Sequence, residues 1–311
     1  MGVFVFLPLV LPLTAWPVAR LAGHHLHPRA ATKILTVAGA VLGVCSSLSL
    51  GLLAIVGTAQ LPGNPLPDGW SDPEVRAAVP RHEVVGEASV AVLAAVTVRC
   101  GLLLLRHRRV RRQVRQTLEG LPATRIAVLP DALPYAHTVP GGRDRGRIVV
   151  STGMLSGLDS RERRALFAHE RAHLDGCHHR YLLVVGLAAR ANPFLRPLRS
   201  VVAYTVERWA DEEAARVVGD RRVTAHAVAK AALLSPAAPV STLPAFAAPG
   251  PVPRRVAALL GPAPTVRTWP PTFTAVGLAA WAAVGGATLS AMSSANSAVT
   301  MILILHAATP L

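Results

Sequence analysis

The stretch ALFAHERAHLDG, residues 165–176, contains the pattern H-E-x-x-H at residues 169–173. Residues four apart lie on the same face of a helix, so His169 and His173 can bind one metal ion with Zn–N bonds of about 2.0–2.1 Å. Glu170, one position further round the helix, can take a proton from a metal-bound water without being a ligand itself. The pattern therefore predicts zinc-dependent peptide hydrolysis, with Zn²⁺ as the cofactor. The alternative is a surface helix on which two histidines fall four apart by chance.

Apolar residues make up 51% of the 311-residue chain and are concentrated in four blocks. Each block has about the 20 residues that are needed to cross the hydrocarbon core of a bilayer. Because these runs are long and nearly free of charge, membrane spans are favoured over buried core helices. The four predicted spans are residues 3–22, 34–57, 84–105 and 273–292. The sequence therefore predicts a multi-pass α-helical membrane protein with about four transmembrane helices.

The chain has a formal net charge of +15, and its densest basic run directly follows the third predicted span. This run consists of Arg106, Arg108, Arg109, Arg111, Arg112 and Arg115. Basic residues accumulate in cytoplasmic flanks and attract anionic headgroups, so the position indicates topology and contact with the lipid bilayer. We therefore expect no direct nucleic-acid binding. We expect a location in the cell membrane, with the N-terminus outside and the segment between the third and fourth spans in the cytoplasm.

That segment is predicted to be a cytoplasmic α+β zincin-like metallopeptidase domain. Short apolar runs separated by turn signals such as Gly141-Gly142 indicate a small antiparallel sheet. The predicted strands are residues 125–129, 135–139 and 147–151. We expect the last of these strands to form the edge with which an extended substrate pairs.

Two helices are predicted after the sheet. Asp159, with Glu162 three residues later, is typical of the capping box that begins a helix, here the one that contains the H-E-x-x-H pattern. A further helix is predicted at residues 198–218, ending near Gly219. The predicted organisation is three transmembrane helices with a basic juxtamembrane segment in residues 1–115, the zinc metallopeptidase domain in 116–265, and a C-terminal transmembrane helix with a short tail in 266–311.

A catalytic zinc site needs a third protein ligand, and the sequence offers several. Residues 169–179 spell H-E-x-x-H-x-x-G-x-x-H, in which His179 would be the third ligand of a metzincin. Against this hypothesis, no methionine of the sequence lies where a Met-turn would be needed, and metzincins are typically secreted. Cys177 is disfavoured because it would lie about 12 Å along a continuous helix from His169.

Carboxylates on the second helix are better candidates for the third ligand. Glu207 and Asp211 are four residues apart and share a helix face. One of them can give an oxygen to zinc while the other accepts the free ring N–H of a ligand histidine. Because Glu212 and Glu213 make the same stretch acidic, spacing alone does not choose among the four.

Several motifs occur in a characteristic order along the chain. They are a strand that ends at residues 150–153, the H-E-x-x-H helix, Asn192-Pro193, and E-x-x-x-D at residues 207–211. This order resembles the BlaR/MecR-type integral membrane zinc metallopeptidases, which are gluzincins related to the HtpX-type and CAAX-prenyl-protease-type peptidases. The resemblance implies that Glu207 is the third zinc ligand, that Asp211 supports the ligands from behind, and that His178 occupies a position where relatives often carry Asp or His. Antibiotic-sensing members continue into an extracellular penicillin-binding domain; this sequence ends at Leu311, so the resemblance does not carry over β-lactam sensing.

We therefore expect a membrane-bound zinc metalloendopeptidase. Glu170 is its predicted catalytic base, and His169, His173 and Glu207 are its predicted metal ligands. The expected substrate is a protein or peptide, and the resemblance implies regulatory cleavage of a cytoplasmic transcriptional repressor or of the peptidase itself. Two alternatives stay open, namely HtpX-like quality control of membrane proteins and a non-enzymatic membrane signalling protein.

Overall fold

Long helices carry most of the apolar sequence in the computed structural model. It describes residues 2–17, 19, 21, 26–64, 66–77, 79, 82–117, 124–140, 146–235, 252–264 and 273–309. The main elements are α1 (Pro28–Ala59), α2 (His82–Thr117), β1 (Ile126–Leu129), β2 (Ala136–Val139), β3 (Arg147–Ser151), α3 (Ser160–Asp175), α4 (His178–Ala191), α5 (Arg196–Val218), α6 (Arg221–Leu234), α7 (Val252–Leu260) and α8 (Ala275–Ala307). A single helical turn at Leu7–Val10 precedes α1, and two more, at Pro73–Ala77 and Thr152–Ser156, lie between the later elements. The predicted Gly141-Gly142 turn lies outside the described residues.

Three helices among the described residues are long and apolar enough to cross a membrane: Pro28–Ala59, Val84–Val114 and Ala275–Ala307. They correspond to the second, third and fourth predicted spans. The last continues through the apolar residues that follow the predicted end at residue 292, so those residues prolong one helix. In the first predicted span, residues 3–22, the described residues form a shorter apolar helix, Phe4–Pro17.

Prolines explain why residues 2–14 of this first block form short turns instead of one regular α-helix. Its helical turn at Leu7–Val10 is flanked by 3₁₀ turns at Gly2–Phe6 and Leu11–Thr14. Pro8 and Pro12 lack the amide hydrogens that α-helical hydrogen bonds require. The segment packs against the bundle instead, since Ser46 of α1 donates a hydrogen bond of 2.7 Å to the carbonyl oxygen of Pro8.

Two of the helices that follow the sheet, α4 and α5, pack directly on α1. A buried apolar cluster joins α1 to α4 and α5; its members include Leu35, Leu42, Val185, Ala188, Leu198 and Val202. Gly43 allows this approach, because a Cβ atom there would lie 3.0 Å from the Cα of Ala188. A hydrogen bond of 2.9 Å also joins Thr32 of α1 to Thr205 of α5. These contacts fix the position of α5 against one of the candidate membrane helices.

The three strands form a mixed sheet in the order β1-β3-β2. β1 runs parallel to β3 and β2 runs antiparallel to it, so the prediction of a purely antiparallel sheet was wrong. Ile148, Val149 and Val150 are consecutive and all buried, which suits a strand covered on both faces and paired on both edges. The predicted edge strand is therefore the central strand, and β2 is the edge strand that contacts α3.

Local signals set the ends of the helices that carry the site. The side chain of Asp159 accepts hydrogen bonds from the backbone at the start of α3, and Glu162 completes the predicted capping box. Lys230 of α6 pairs with Glu162 at 2.9 Å and ties α6 to this turn. Gly219, with a φ of 76°, ends α5 in the left-handed conformation that glycine adopts readily.

Candidate metal centre

Three side chains from α3 and α5 converge on one point. The Nε2 atoms of His169 and His173 lie 3.1 Å apart, and each lies 3.5 Å from an oxygen of Glu207. Ligands bound at about 2.0–2.1 Å to a tetrahedral zinc are separated by about 3.4 Å, so these three distances fit one ion. In the part of the chain that the structure describes, these residues form the one group with metal-binding spacing. The structure thus brings together the three predicted ligands.

Two of the three donors, His173 and Glu207, have protonation states that suit a metal site. Burial lowers the pKa of His173 to about 4, which keeps the imidazole neutral. Burial disfavours the Glu207 carboxylate, but His173 and Arg255 lower its pKa overall and keep it ionised. Burial also opposes protonation of His169, yet the Asp211 and Glu207 carboxylates raise its pKa to about 10. Because a ligand histidine must be neutral, metal binding would release a proton from His169.

Glu170 lies beside this group on α3 and is buried. Burial raises the pKa of its carboxyl group to about 7. A carboxyl group with a pKa near neutrality can both accept and return a proton, as a general base in peptide hydrolysis must. The structure therefore gives the predicted base a suitable environment, and its catalytic role stays a prediction.

Asp211 contacts His169 on the side of the ring that faces away from the metal position. Its side chain is fully buried, and its Oδ1 lies 3.1 Å from the Nδ1 of His169, the ring nitrogen that faces away from the metal position. A carboxylate at this point fixes the orientation and tautomer of a ligand histidine. This is the position that the resemblance implies for Asp211.

Arg255 of α7 was missed in the sequence. It makes two hydrogen bonds to Asp211, of 2.9 and 2.6 Å, and its Nη1 lies 3.0 Å from an oxygen of Glu207. One buried guanidinium therefore compensates both carboxylates. A local signal was present, because Arg255 lies four residues before Leu259 and shares the buried face of a short helix.

His178, the first residue of α4, contacts the second histidine of the motif. Its Nδ1 lies 2.9 Å from the Nδ1 of His173, and its ring packs against Trp209 with centroids 4.4 Å apart. Burial lowers the pKa of His178 to about 2, so the ring is neutral and can accept the Nδ1 hydrogen of His173. Both histidines of the motif thus have a buried partner on the ring nitrogen that faces away from the metal position.

His179 does not join the site. The chain turns at Cys177, which has a φ of 51°, and α4 begins at the next residue. Consecutive residues on a helix point in directions about 100° apart, so His178 faces the site while His179 faces elsewhere. The pKa of His179 is lowered to about 4 by burial and by the charges of Arg180 and Arg111, the latter on α2. Neither His179 nor Cys177 is in the metal-binding group, which disfavours the metzincin arrangement.

Zinc content tests this assignment of the third ligand. We expect Glu207→Ala to lose bound zinc, because it removes one of three converging donors, whereas His179→Ala should keep it. The measurement is the zinc-to-protein ratio of each purified full-length variant by mass spectrometry. Zinc lost by His179→Ala and kept by Glu207→Ala would restore the metzincin arrangement.

An H-E-x-x-H helix with a carboxylate from a second helix is typical of metallopeptidases, and the long apolar helices suggest one of the membrane type. Residues 105–203 match the family model described as Peptidase family M48. The matched range includes α3 and ends before Glu207. The family match and the named relatives below indicate a metalloprotease.

Two curated relatives share part of this region. Over 91 residues the chain is 33% identical to a protein named Protease HtpX homolog from Chlorobium phaeobacteroides. The aligned region covers 29% of this chain and 30% of that protein. Over 70 residues it is 34% identical to a Protease HtpX homolog from Ralstonia nicotianae, which covers 22% of this chain and 23% of that protein. The chain thus matches less than a third of the length of either relative. No solved structure matches it.

Proposed function

We propose that this chain is a membrane-bound zinc metalloendopeptidase that hydrolyses peptide bonds at the cytoplasmic face of the cell membrane. The observation that carries the proposal is the convergence of the His169, His173 and Glu207 donor atoms, all within 4.8 Å of one another. The buried Glu170 on the same helix provides the base that hydrolysis needs.

The donor set of two imidazoles and one carboxylate suits catalytic zinc. When bound, zinc would lower the pKa of a water molecule and polarise the carbonyl group of a peptide. Glu170 would accept the proton of that water and then donate it to the leaving amine. Asp211 and His178 would hold the two histidines, and Arg255 would keep Glu207 and Asp211 ionised.

The site also lies close to the start of a membrane helix, which supports cleavage near the membrane surface. Trp209 lies between Glu207 and Asp211 in the sequence of α5, and the guanidinium of Arg29 lies 5.4 Å from its ring centroid. Arg29 is in the first turn of α1, the helix that spans Pro28–Ala59. An extended substrate would pair with β2, because β2 is the sheet edge that contacts α3.

The substrate is a protein or peptide. We propose regulatory cleavage, for example of a cytoplasmic transcriptional repressor or of the peptidase itself. The basis for this is the resemblance of the sequence to BlaR/MecR-type peptidases. The second candidate is quality control of membrane proteins, which is favoured by the two relatives named Protease HtpX homolog. The two candidates predict different results in cells that carry an inactive enzyme. Regulatory cleavage predicts that one substrate accumulates, and quality control predicts that many unfolded membrane proteins accumulate.

Metal removal tests the proposed chemistry. We expect a chelator to reduce cleavage of an unfolded protein substrate by the purified full-length chain to background, and added zinc to restore it, because without the metal the attacking water keeps its high pKa. Cleavage is followed on gels, with protein-bound zinc measured in the same samples. Cleavage that persists in protein free of metal would overturn the zinc mechanism, and no cleavage by fully zinc-loaded protein would favour the non-enzymatic alternative.

A further inference from the structure

Five arginines line a groove between α2, α4 and α5, near the C-terminal end of α4, whose first residue, His178, contacts the metal centre. The groove has a volume of about 440 Å³. Its basic residues are Arg99, Arg106, Arg190, Arg196 and Arg199, and the remaining lining is Leu102, Leu103, Ala189 and Ser200. No acidic side chain contributes to this lining, so the groove carries a dense positive charge next to apolar surface.

The described parts of the chain provide no carboxylate partner for these arginines. None of the five belongs to an ion pair there, although other arginines such as Arg221 and Arg255 do. Arg190 donates a hydrogen bond of 2.9 Å to the backbone oxygen of Gly186, within its own helix. Burial and the charge of the neighbouring Arg199 lower the pKa of Arg190. Cations that crowd one another in this way are stabilised by an anion.

The groove lies at the boundary between the apolar and basic parts of α2. A helix needs about 20 residues to cross the hydrocarbon core of a bilayer. Counted from Val84, where the candidate span begins, these roughly 20 residues end near Leu103. Arg99 therefore lies inside this boundary and Arg106 just outside it. Leu102 and Leu105 are 59% and 49% exposed, so lipid-facing surface continues from the groove along the helix.

We propose that this groove binds the phosphate group of an anionic phospholipid. The five guanidinium groups would bind the phosphate oxygens, since arginine matches phosphate with paired N–H donors. Leu102 and Leu103 would contact the first part of the acyl chains. An intramembrane arginine without a protein partner is costly, and a lipid phosphate supplies its counter-charge at the right depth.

A lipid fits the groove better than a soluble anion does. Free phosphate would neutralise the arginine charges of the groove. It would leave Leu102 and Leu103 in contact with lipid tails or water. Because α4 and α5 also carry His178, Glu207 and Asp211, a lipid in this groove would join the membrane to the two helices behind the metal centre. Lipid binding in this groove requires neither bound zinc nor proteolysis.

The test compares two pairs of substitutions that remove the same charge. Arg190→Gln with Arg199→Gln changes the groove, whereas Arg108→Gln with Arg109→Gln changes exposed arginines of α2 outside it. Each purified full-length protein is titrated in neutral detergent with short-chain phosphatidylglycerol, with phosphatidylcholine or with inorganic phosphate. Melting temperature and bound lipid, measured by native mass spectrometry, are the readouts.

We expect phosphatidylglycerol to bind and stabilise the wild type and the control, and its affinity for the groove variant to fall on the order of tenfold or more. Equal losses in both variants, equal binding of phosphatidylcholine, or equal stabilisation by inorganic phosphate would each overturn the proposal. If the double variant fails to fold, Ser200→Glu provides a second test. It adds a carboxylate to an exposed position of the lining, and unchanged phosphatidylglycerol binding by that variant would also overturn the proposal.

Discussion

Glu170→Gln is expected to abolish peptide hydrolysis while the bound zinc remains. An amide cannot take a proton from water, and general acid–base catalysis typically contributes about 10²–10⁴-fold to the rate. We therefore expect cleavage of a protein substrate to fall by about this factor. The zinc-to-protein ratio should stay that of the wild type, because His169, His173 and Glu207 are unchanged.

The environment of Glu170 makes this substitution a clean test. The side chain is buried and burial raises its pKa to about 7, so a neutral group of the same shape fits without a new buried charge. The matched control is Glu213→Gln, which makes the same chemical change on α5 at a carboxylate that pairs with Arg216 at the surface. Full activity in Glu170→Gln, or an equal loss in the control, would show that Glu170 is not the base.

The sequence predicted the parts of this molecule that short-range interactions determine. The start of α3 follows from the capping box at Asp159, and the end of α5 follows from Gly219. The convergence of His169 and His173 follows from one helical turn. Glu207 could be chosen over its acidic neighbours only through the family resemblance, because helix spacing fits more than one carboxylate. Its meeting with the histidines required the packing of α5 against α3.

What the sequence did not predict depends on contacts between distant segments. Arg255 is 44 positions from Asp211, and its role follows from how α7 packs on α5. The prediction of an antiparallel sheet was wrong for a similar reason. Strands that are adjacent in sequence need not pair, and β1 pairs with β3 instead of β2. The string that ends at His179 is disfavoured because the turn at Cys177 directs His178, and not His179, towards His173.

Arg255→Gln is expected to destabilise the metal-free protein by several kcal/mol. Arg255 is the buried cation that pairs with both Glu207 and Asp211, and removing one partner of a buried ion pair typically costs about 3–5 kcal/mol. In its absence, two carboxylates stay buried with the protonated His169 as their remaining counter-charge. Arg255→Lys should lose less, since it keeps the charge but not the fork that bonds both carboxylates.

Zinc should reverse much of this loss, because a bound dication supplies the positive charge that Arg255 no longer provides. The melting temperature of Arg255→Gln should therefore rise more on zinc addition than that of the wild type. The control is Arg254→Gln, which removes the same charge from the neighbouring, exposed position, where the guanidinium lies 5.0 Å from the ring centroid of Tyr204. Equal zinc-induced shifts in Arg255→Gln and Arg254→Gln would contradict a shared electrostatic role for Arg255 and the metal. A larger shift in Arg255→Gln alone would mean that the arginine and the metal stabilise the same pair of buried carboxylates, which couples the folding of α7 to the loading of the site.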